Sequence, residues 1–510
     1  MSFATPSLAP QWSARPERCT SRPAGRATSA ALLARLRALA PALMLAGCAL
    51  GPDFKRPDAP AGAHVVIAPQ AEALRTEGAS QRFDASADVP ARWWTLLGSP
   101  ALDALVDGAL AHSPTVAAAQ AALRQSQDEL RAGSGVFYPQ VGASLGVARE
   151  RSIVELNRAP QGVGPYNLAT ASASVSYVPD LFGLQRRSVE ALRAQSEAQR
   201  DDVLAAYLAL TANVVNAGVA RAGYQAQLDA LRETVRMQAD QIHLARVQFD
   251  AGTAAYTAVV ALTSQQSANQ ADAAALEQRI DQSEHLLAQL GGLAPADARL
   301  PAIALEDLRL PPDLPDALPA ALARHRPDIL AAEANLHAAS ARIGIATADL
   351  FPTVILGGTA GASQSSIAAL LSSGTSFWSA QAQVAGTIFS GFSQWYARRA
   401  AIDAYQQSLA LYQQTVLAAL AQVADAMTAL AHDAQAVRAQ SAALAAAGEG
   451  LRLSRANYEA GTAGYLDLLS ADMQYQQARL GYAGALAQRL QDTVALYAAL
   501  GGGWWNREAP

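Results

Sequence analysis

The groups able to do chemistry in this sequence are two cysteines, Cys19 and Cys48, seven histidines and scattered carboxylates, none of them clustered. The histidines lack zinc-ligand spacing, and no Gly-rich phosphate loop is present. His112 in His112-Ser113-Pro114 and His325 in His325-Arg326-Pro327 have no paired acid or nucleophile in a recognisable arrangement, so neither reads as a general base. Two cysteines so near the N-terminus cannot staple a chain of 510 residues. Two positions still invite specific chemistry. Cys48 is a thiol directly after an apolar run, and Asp467 is a carboxylate just past a turn, in Tyr465-Leu466-Asp467-Leu468.

The surroundings of Cys48 say what its thiol is for. Arg35 and Arg37 precede Ala38-Leu39-Ala40-Pro41-Ala42-Leu43-Met44-Leu45-Ala46, too short to span a bilayer and ending in small residues, as in an export signal. Leu45-Ala46-Gly47-Cys48 resembles a bacterial lipobox, whose cysteine becomes the lipidated first residue of the mature protein. Residues 1–47 are therefore expected to be a signal peptide. The stretch before Arg35 is longer and richer in Pro and Arg than an ordinary n-region, so a translational start downstream of Met1 is an open expectation. Residues 48–100 are expected to form a lipidated tether, rich in Pro, Ala and Asp from Pro52 to Pro90.

The elements that position Asp467 occur twice. Phe249-Asp250-Ala251-Gly252-Thr253-Ala254-Ala255-Tyr256 matches Tyr458-Glu459-Ala460-Gly461-Thr462-Ala463-Gly464-Tyr465 at Ala, Gly, Thr, Ala and Tyr. In each, a long helical pattern is stopped by a Gly able to adopt the left-handed conformation and restarts as a helix running back. An offset of about 210 residues pairs Tyr138-Pro139 with Phe351-Pro352, Gly183 with Gly391, and Gly291-Gly292 with Gly501-Gly502. Two repeats are expected, residues 101–300 and 316–502, with a tail at 503–510. The second opens on Pro327 and Asp328, suited to a helix first turn.

After Tyr138-Pro139 the pattern changes to period two. Val141, Ala143, Leu145 and Val147 alternate with Gln140, Gly142, Ser144 and Gly146; Trp378, Ala380, Ala382, Val384 and Ile388 alternate with Ser379, Gln381, Gln383 and Thr387. Further strands are expected at Tyr166–Tyr177 and Phe351–Thr359. One face of each is apolar and the other small and polar, as suits a barrel with lipid outside and water within. A small soluble sheet is the plainer alternative. Four strands cannot close, and an open edge is not tolerated in lipid, so oligomerisation is required, with two, three or four copies all open.

Breaker-free helical runs follow, about Gln185–Asp250 and Gln394–Glu459, each roughly 100 Å long at 1.5 Å per residue. Shorter helices are expected at Leu102–Ala132, Val259–Leu290, Leu318–Asp349 and Leu468–Leu500. Stacked in pairs, they match the long ones and make four columns per chain; an Ala-rich coiled-coil stalk is the simpler alternative. The net charge of −5, with a single lysine at Lys55, excludes the basic surface of a nucleic-acid binder.

Gly51-Pro52-Asp53-Phe54 with Pro57, and Arg92-Trp93-Trp94-Thr95-Leu96-Leu97, resemble the start of the outer membrane factors, the TolC/NodT family, in its lipoprotein branch. Arg326-Pro327-Asp328-Ile329 with Ala332-Glu333, Ala341-Arg342-Ile343-Gly344 and Leu350-Phe351-Pro352 extend the resemblance from Cys48 to about Gly502. It implies a mainly α protein with a membrane β-barrel: a homotrimer with a 12-strand outer-membrane barrel continued by a 12-column helical barrel in the periplasm. Ala49 after the cysteine implies sorting to the outer membrane. The resemblance further implies no enzyme activity and no cofactor beyond the lipid on Cys48. The implied role is the exit duct of a tripartite efflux pump, with a periplasmic adaptor and an inner-membrane transporter of the resistance-nodulation-division type. A type I secretion duct and a periplasmic structural or enzymatic lipoprotein are the rivals. Ala251, Gly252, Thr253, Ala460, Gly461 and Thr462 match the tip that receives the adaptor, with Ala where the family carries Val. Tyr465, Leu466, Asp467 and Leu468 match the constriction, and a second acidic family position falls on Ser470.

Overall fold

A computed structural model describes residues 49–58, 81–84, 87–151, 153–156, 159–162, 164–315, 325–371 and 376–506. Residues 1–47, expected to be a signal peptide, and Cys48 lie outside the described residues. The elements in order are β1 (Arg82–Asp84), α1 (Pro100–His112), α2 (Pro114–Gly133), β2 (Gln140–Glu150), β3 (Ile153–Leu156), β4 (Ala159–Gly162), β5 (Tyr166–Tyr177), α3 (Leu184–Asp250) and α4 (Tyr256–Leu290). After the junction come β6 (Asp313–Pro315), α5 (Pro327–Ala348), β7 (Thr353–Gln364), β8 (Ser376–Ala385), α6 (Ser393–Glu459) and α7 (Tyr465–Ala499).

The period-two segments form one antiparallel sheet of order β2-β5-β7-β8. Its register keeps the alternation through most of the four strands. Val141 faces Val175, Val175 faces Gly358 and Gly358 faces Ala380, while Ser144 faces Ser172, Ser172 faces Gly361 and Gly361 faces Phe377. One face is thus mainly Val, Ala, Leu and Trp, and the other mainly Ser, Thr, Gln and Gly, with Ile355 and Phe377 among its apolar exceptions. On the polar face the Ser144 and Ser172 hydroxyls are 2.9 Å apart and those of Thr170 and Ser363 are 3.2 Å apart. β2 and β8 remain unpaired on their outer sides among the described residues. The third strand is shifted from the expected span, and Ile388 lies beyond the end of β8. The β3-β4 hairpin between β2 and β5 was not foreseen.

Both long helices run 67 residues, about 100 Å. α3 packs against α2 and α4 on one side and α5 and α7 on the other, and α6 packs against α5 and α7. The columns therefore run α2/α4, α3, α5/α7, α6, in the same order as the strands they continue.

Stacking depends on close approach at the junctions. A Cβ on Gly292 would come 2.5 Å from the His112 carbonyl oxygen, and one on Gly501 would come 2.8 Å from that of His325. Gly292 is thus the structural partner of Gly501, one residue off the sequence pairing. Buried Arg326 ties the second junction, donating to Asp328 at 2.6 Å, to Gln422 at 2.8 Å and to the Ala499 carbonyl at 2.8 Å. The first opening helix, expected to be continuous, breaks at Ser113 because Pro114 cannot continue it and instead starts α2 at N1. Of the second, the described part is α5.

The main core lies at mid-height. Trp93, Trp94 and Leu97, assigned to the tether, are buried there with Leu102, Val215, Leu430, Leu490 and Tyr497. Trp93 stacks on Tyr497 with ring centroids 5.6 Å apart. The end of residues 48–100 is therefore core, and Arg82–Asp84 adds a parallel pairing to Asp313–Pro315.

Candidate functional site

The two helical hairpins are near copies. Gly252 and Gly461 hold φ of 71° and 73°. Around the first, Gly252 N–H donates to Phe249 O at 2.8 Å and Thr253 N–H to Gln248 O at 2.9 Å; around the second, Gly461 donates to Tyr458 O at 3.0 Å and Thr462 to Asn457 O at 2.9 Å. These are the paired bonds of a Schellman ending, which satisfies the last carbonyls of a helix and requires the left-handed residue. The Thr253 and Thr462 hydroxyls donate to the same Gln248 and Asn457 carbonyls. Ala251, Gly252, Thr253, Ala460, Gly461 and Thr462 are therefore a rigid, exposed turn, and a Cβ at either Gly meets nothing within 4 Å.

Tyr465, Leu466, Asp467 and Leu468 are not loop but the first turn of α7, since both returning helices start three residues earlier than expected. Tyr465 lies against Tyr458, as Tyr256 does against Phe249. Asp467 is exposed and accepts the Gly464 N–H at 2.9 Å, closing the cap of α7. In the first copy the equivalent residue is Ala258, which leaves that helix without a carboxylate cap.

The segment after Cys48 is clasped to the strand-helix junction. Leu50 N–H donates to Phe182 O at 3.1 Å. Buried Arg187 donates to the carboxylates of Asp53 and Glu190, both at 2.7 Å, and to Leu50 O at 3.3 Å. Arg56 donates to Glu333 at 2.7 Å, and Phe54 stacks on His337 with centroids 4.5 Å apart. Gly183 makes room for this segment: a Cβ there would lie 2.7 Å from the Ala49 Cα. The sequence carried only a faint signal for the clasp, an Arg and a Glu three residues apart at the start of a long helix.

A buried polar group at mid-height was also missed. Arg489 donates to Gln81 at 2.9 Å, and both are almost fully buried. Beside them burial, reinforced by a hydrogen bond and the like charge of Asp492, pushes the Asp433 carboxyl up to about 7, with Arg489 opposing. Burial also pushes Asp201 on α3 up to about 6. Among the described residues no His, Cys, Asp and Glu group could hold a metal ion.

The model of the family described as Outer membrane efflux protein matches residues 105–293 and 318–502, the same two repeats that the hairpins and stacked columns define. The chain belongs to the outer membrane efflux protein family. The toluene efflux pump outer membrane protein TtgF of Pseudomonas putida is 28% identical to it over 485 residues, 92% of this chain and 96% of the relative. Outer membrane protein OprJ of Pseudomonas aeruginosa is 28% identical over 476 residues, 92% and 95% of the two chains. The solved outer-membrane channel OprN superposes with a TM-score of 0.78 at 27% identity, over 90% of this chain and all of that one. This efflux protein accordingly places its sheet in the outer membrane and its helices in the periplasm, in a family of transport channels.

Proposed function

We propose that three copies close into a 12-strand barrel continued by a 12-column helical tunnel, the passive exit duct of a tripartite efflux pump. The observation that carries this reading is the shared order of strands and columns. Both layers are open on the same two sides, at β2 with α2/α4 and at β8 with α6. Unpaired strand edges are not tolerated in lipid, and one set of neighbours satisfies both layers at once. The polar face of the sheet then lines the lumen. The relatives' names favour efflux over protein secretion. An inner-membrane transporter of the resistance-nodulation-division type supplies the energy, and a periplasmic adaptor bridges to it at the exposed turns around Gly252 and Gly461.

Asp467 presents a carboxylate near the tip in one hairpin only. Around a threefold axis three such groups form a ring that repels itself and attracts cations. Lipid on Cys48 fits the clasp, because Ala49 packs where strand meets helix, at the level of the membrane's inner surface.

Planar-bilayer recording of the purified oligomer tests duct and constriction together. A small resting conductance blocked by multivalent cations is expected, rising or losing its block in Asp467→Ala. No conductance at all refutes the duct; unchanged conductance and block in the variant remove Asp467 from the constriction.

A further inference from the structure

Large apolar side chains stand exposed where the sheet meets the helices, and besides Leu350 and Phe351 before the central strand β7 they gather at the sheet's two open edges. Phe137 and Tyr138 lie just before β2, and Phe389, Phe392, Trp395 and Tyr396 lie just after β8. The second group is ordered internally: Phe389 and Phe392 meet edge to face at 5.9 Å, as do Trp395 and Tyr396 at 4.9 Å. Arg399 lies over the Trp395 ring at 5.5 Å.

Phe392 also holds a costly backbone. Its φ is 66°, and among the described residues it is the one non-glycine at positive φ. It precedes α6 as Gly183 precedes α3, whose φ is 86°, so the structure pairs Gly183 with Phe392 rather than with Gly391. A phenylalanine held where glycine serves the other repeat points to use of its ring.

Chain direction decides what meets that ring. β8 runs toward the helical layer and β2 away from it, as alternate strands of an antiparallel sheet must. Antiparallel pairing of one copy's β8 with the next copy's β2 therefore sets the residues after the first beside those before the second. Tyr138 is two residues from β2 and Phe389 four from β8, within reach of that pairing at about 3.3 Å per residue.

We propose that Phe389, Phe392 and Trp395 of each copy are covered by Phe137 and Tyr138 of the next, forming an aromatic seam at the periplasmic rim of the barrel. This rests on the closed-oligomer reading and adds the side chains that seal its joints below the lipid. The occupant is a second copy of this chain, because the neighbour that pairs the strand edge brings the matching aromatics with it.

The test is cross-linking in detergent-purified full-length protein carrying Tyr138→Cys with Phe389→Cys, and separately Phe137→Cys with Trp395→Cys, using a short bis-maleimide. Light scattering on the same samples reports the oligomer. Covalent dimers and trimers from the paired variants, absent from each single variant, are expected. Intact oligomers that cross-link with neither pair overturn the seam, leaving the aromatics to face lipid. Monomers by light scattering in the unsubstituted protein overturn the closed-oligomer reading itself.

Discussion

Substitution at Gly252 separates a turn that merely ends a helix from one that binds a partner. The glycine sits at φ 71°, and a Cβ there meets no atom within 4 Å. Any L-residue therefore incurs only the intrinsic left-handed cost, about 1–2 kcal/mol. Gly252→Ala and Gly252→Arg share that cost, and they differ only in what projects into solvent. The cost stays local. Leu231, in the nearest buried Leu-rich cluster on α3, is 21 residues away, about 30 Å of helix. Both variants should therefore assemble with unchanged thermal dissociation. A binding hot spot contributes 2 kcal/mol or more, about 30-fold in affinity. Gly252→Arg and Gly461→Arg should then abolish drug resistance in a strain lacking its own copy, while the alanine variants keep most of it. Resistance measured beside oligomer content by unheated gel decides the matter. Normal pumping by both arginine variants refutes docking at the tip; equal loss in alanine and arginine variants shows that only the turn geometry counts.

Two further outcomes are expected. Because burial raises the Asp433 carboxyl to about 7, above its ordinary range, the folded state binds its proton more tightly than the unfolded chain. That stability is complete below the unfolded value and is lost as pH rises through about 7, so thermal dissociation should move to higher temperature from pH 8 to pH 5. Asp433→Asn should flatten the profile, and an unaltered slope in that variant removes Asp433 as its cause. Mass spectrometry of the mature N-terminus should find acyl chains on Cys48. A processed chain that begins elsewhere without them contradicts the lipidation reading, and Cys48→Ser should alter processing.

Local pattern was enough for much of this molecule. The long helices end within a residue or two of the sequence expectation, because nothing in 67 residues interrupts them and a left-handed Gly is needed to turn back. The strand faces were legible because a period of two survives any register that keeps apolar with apolar. Other features needed the tertiary structure. Asp467 reads equally as a loop charge or a first-turn cap until the helix start at Tyr465 is known. The Trp93-Trp94 pair in an apparent tether becomes core only because α7 supplies Tyr497 to stack on it. Arg187 is an unremarked helical arginine until the segment Leu50–Asp53, more than 130 residues earlier, lies across it. The Asp433 shift needs α6 and α7 side by side. Periodicity and turn chemistry act between neighbours in sequence, so the long helices, the strand faces and the duplication could be read without the fold. Burial and pairing across the chain depend on which columns become adjacent, and that is fixed by contacts between residues far apart in sequence.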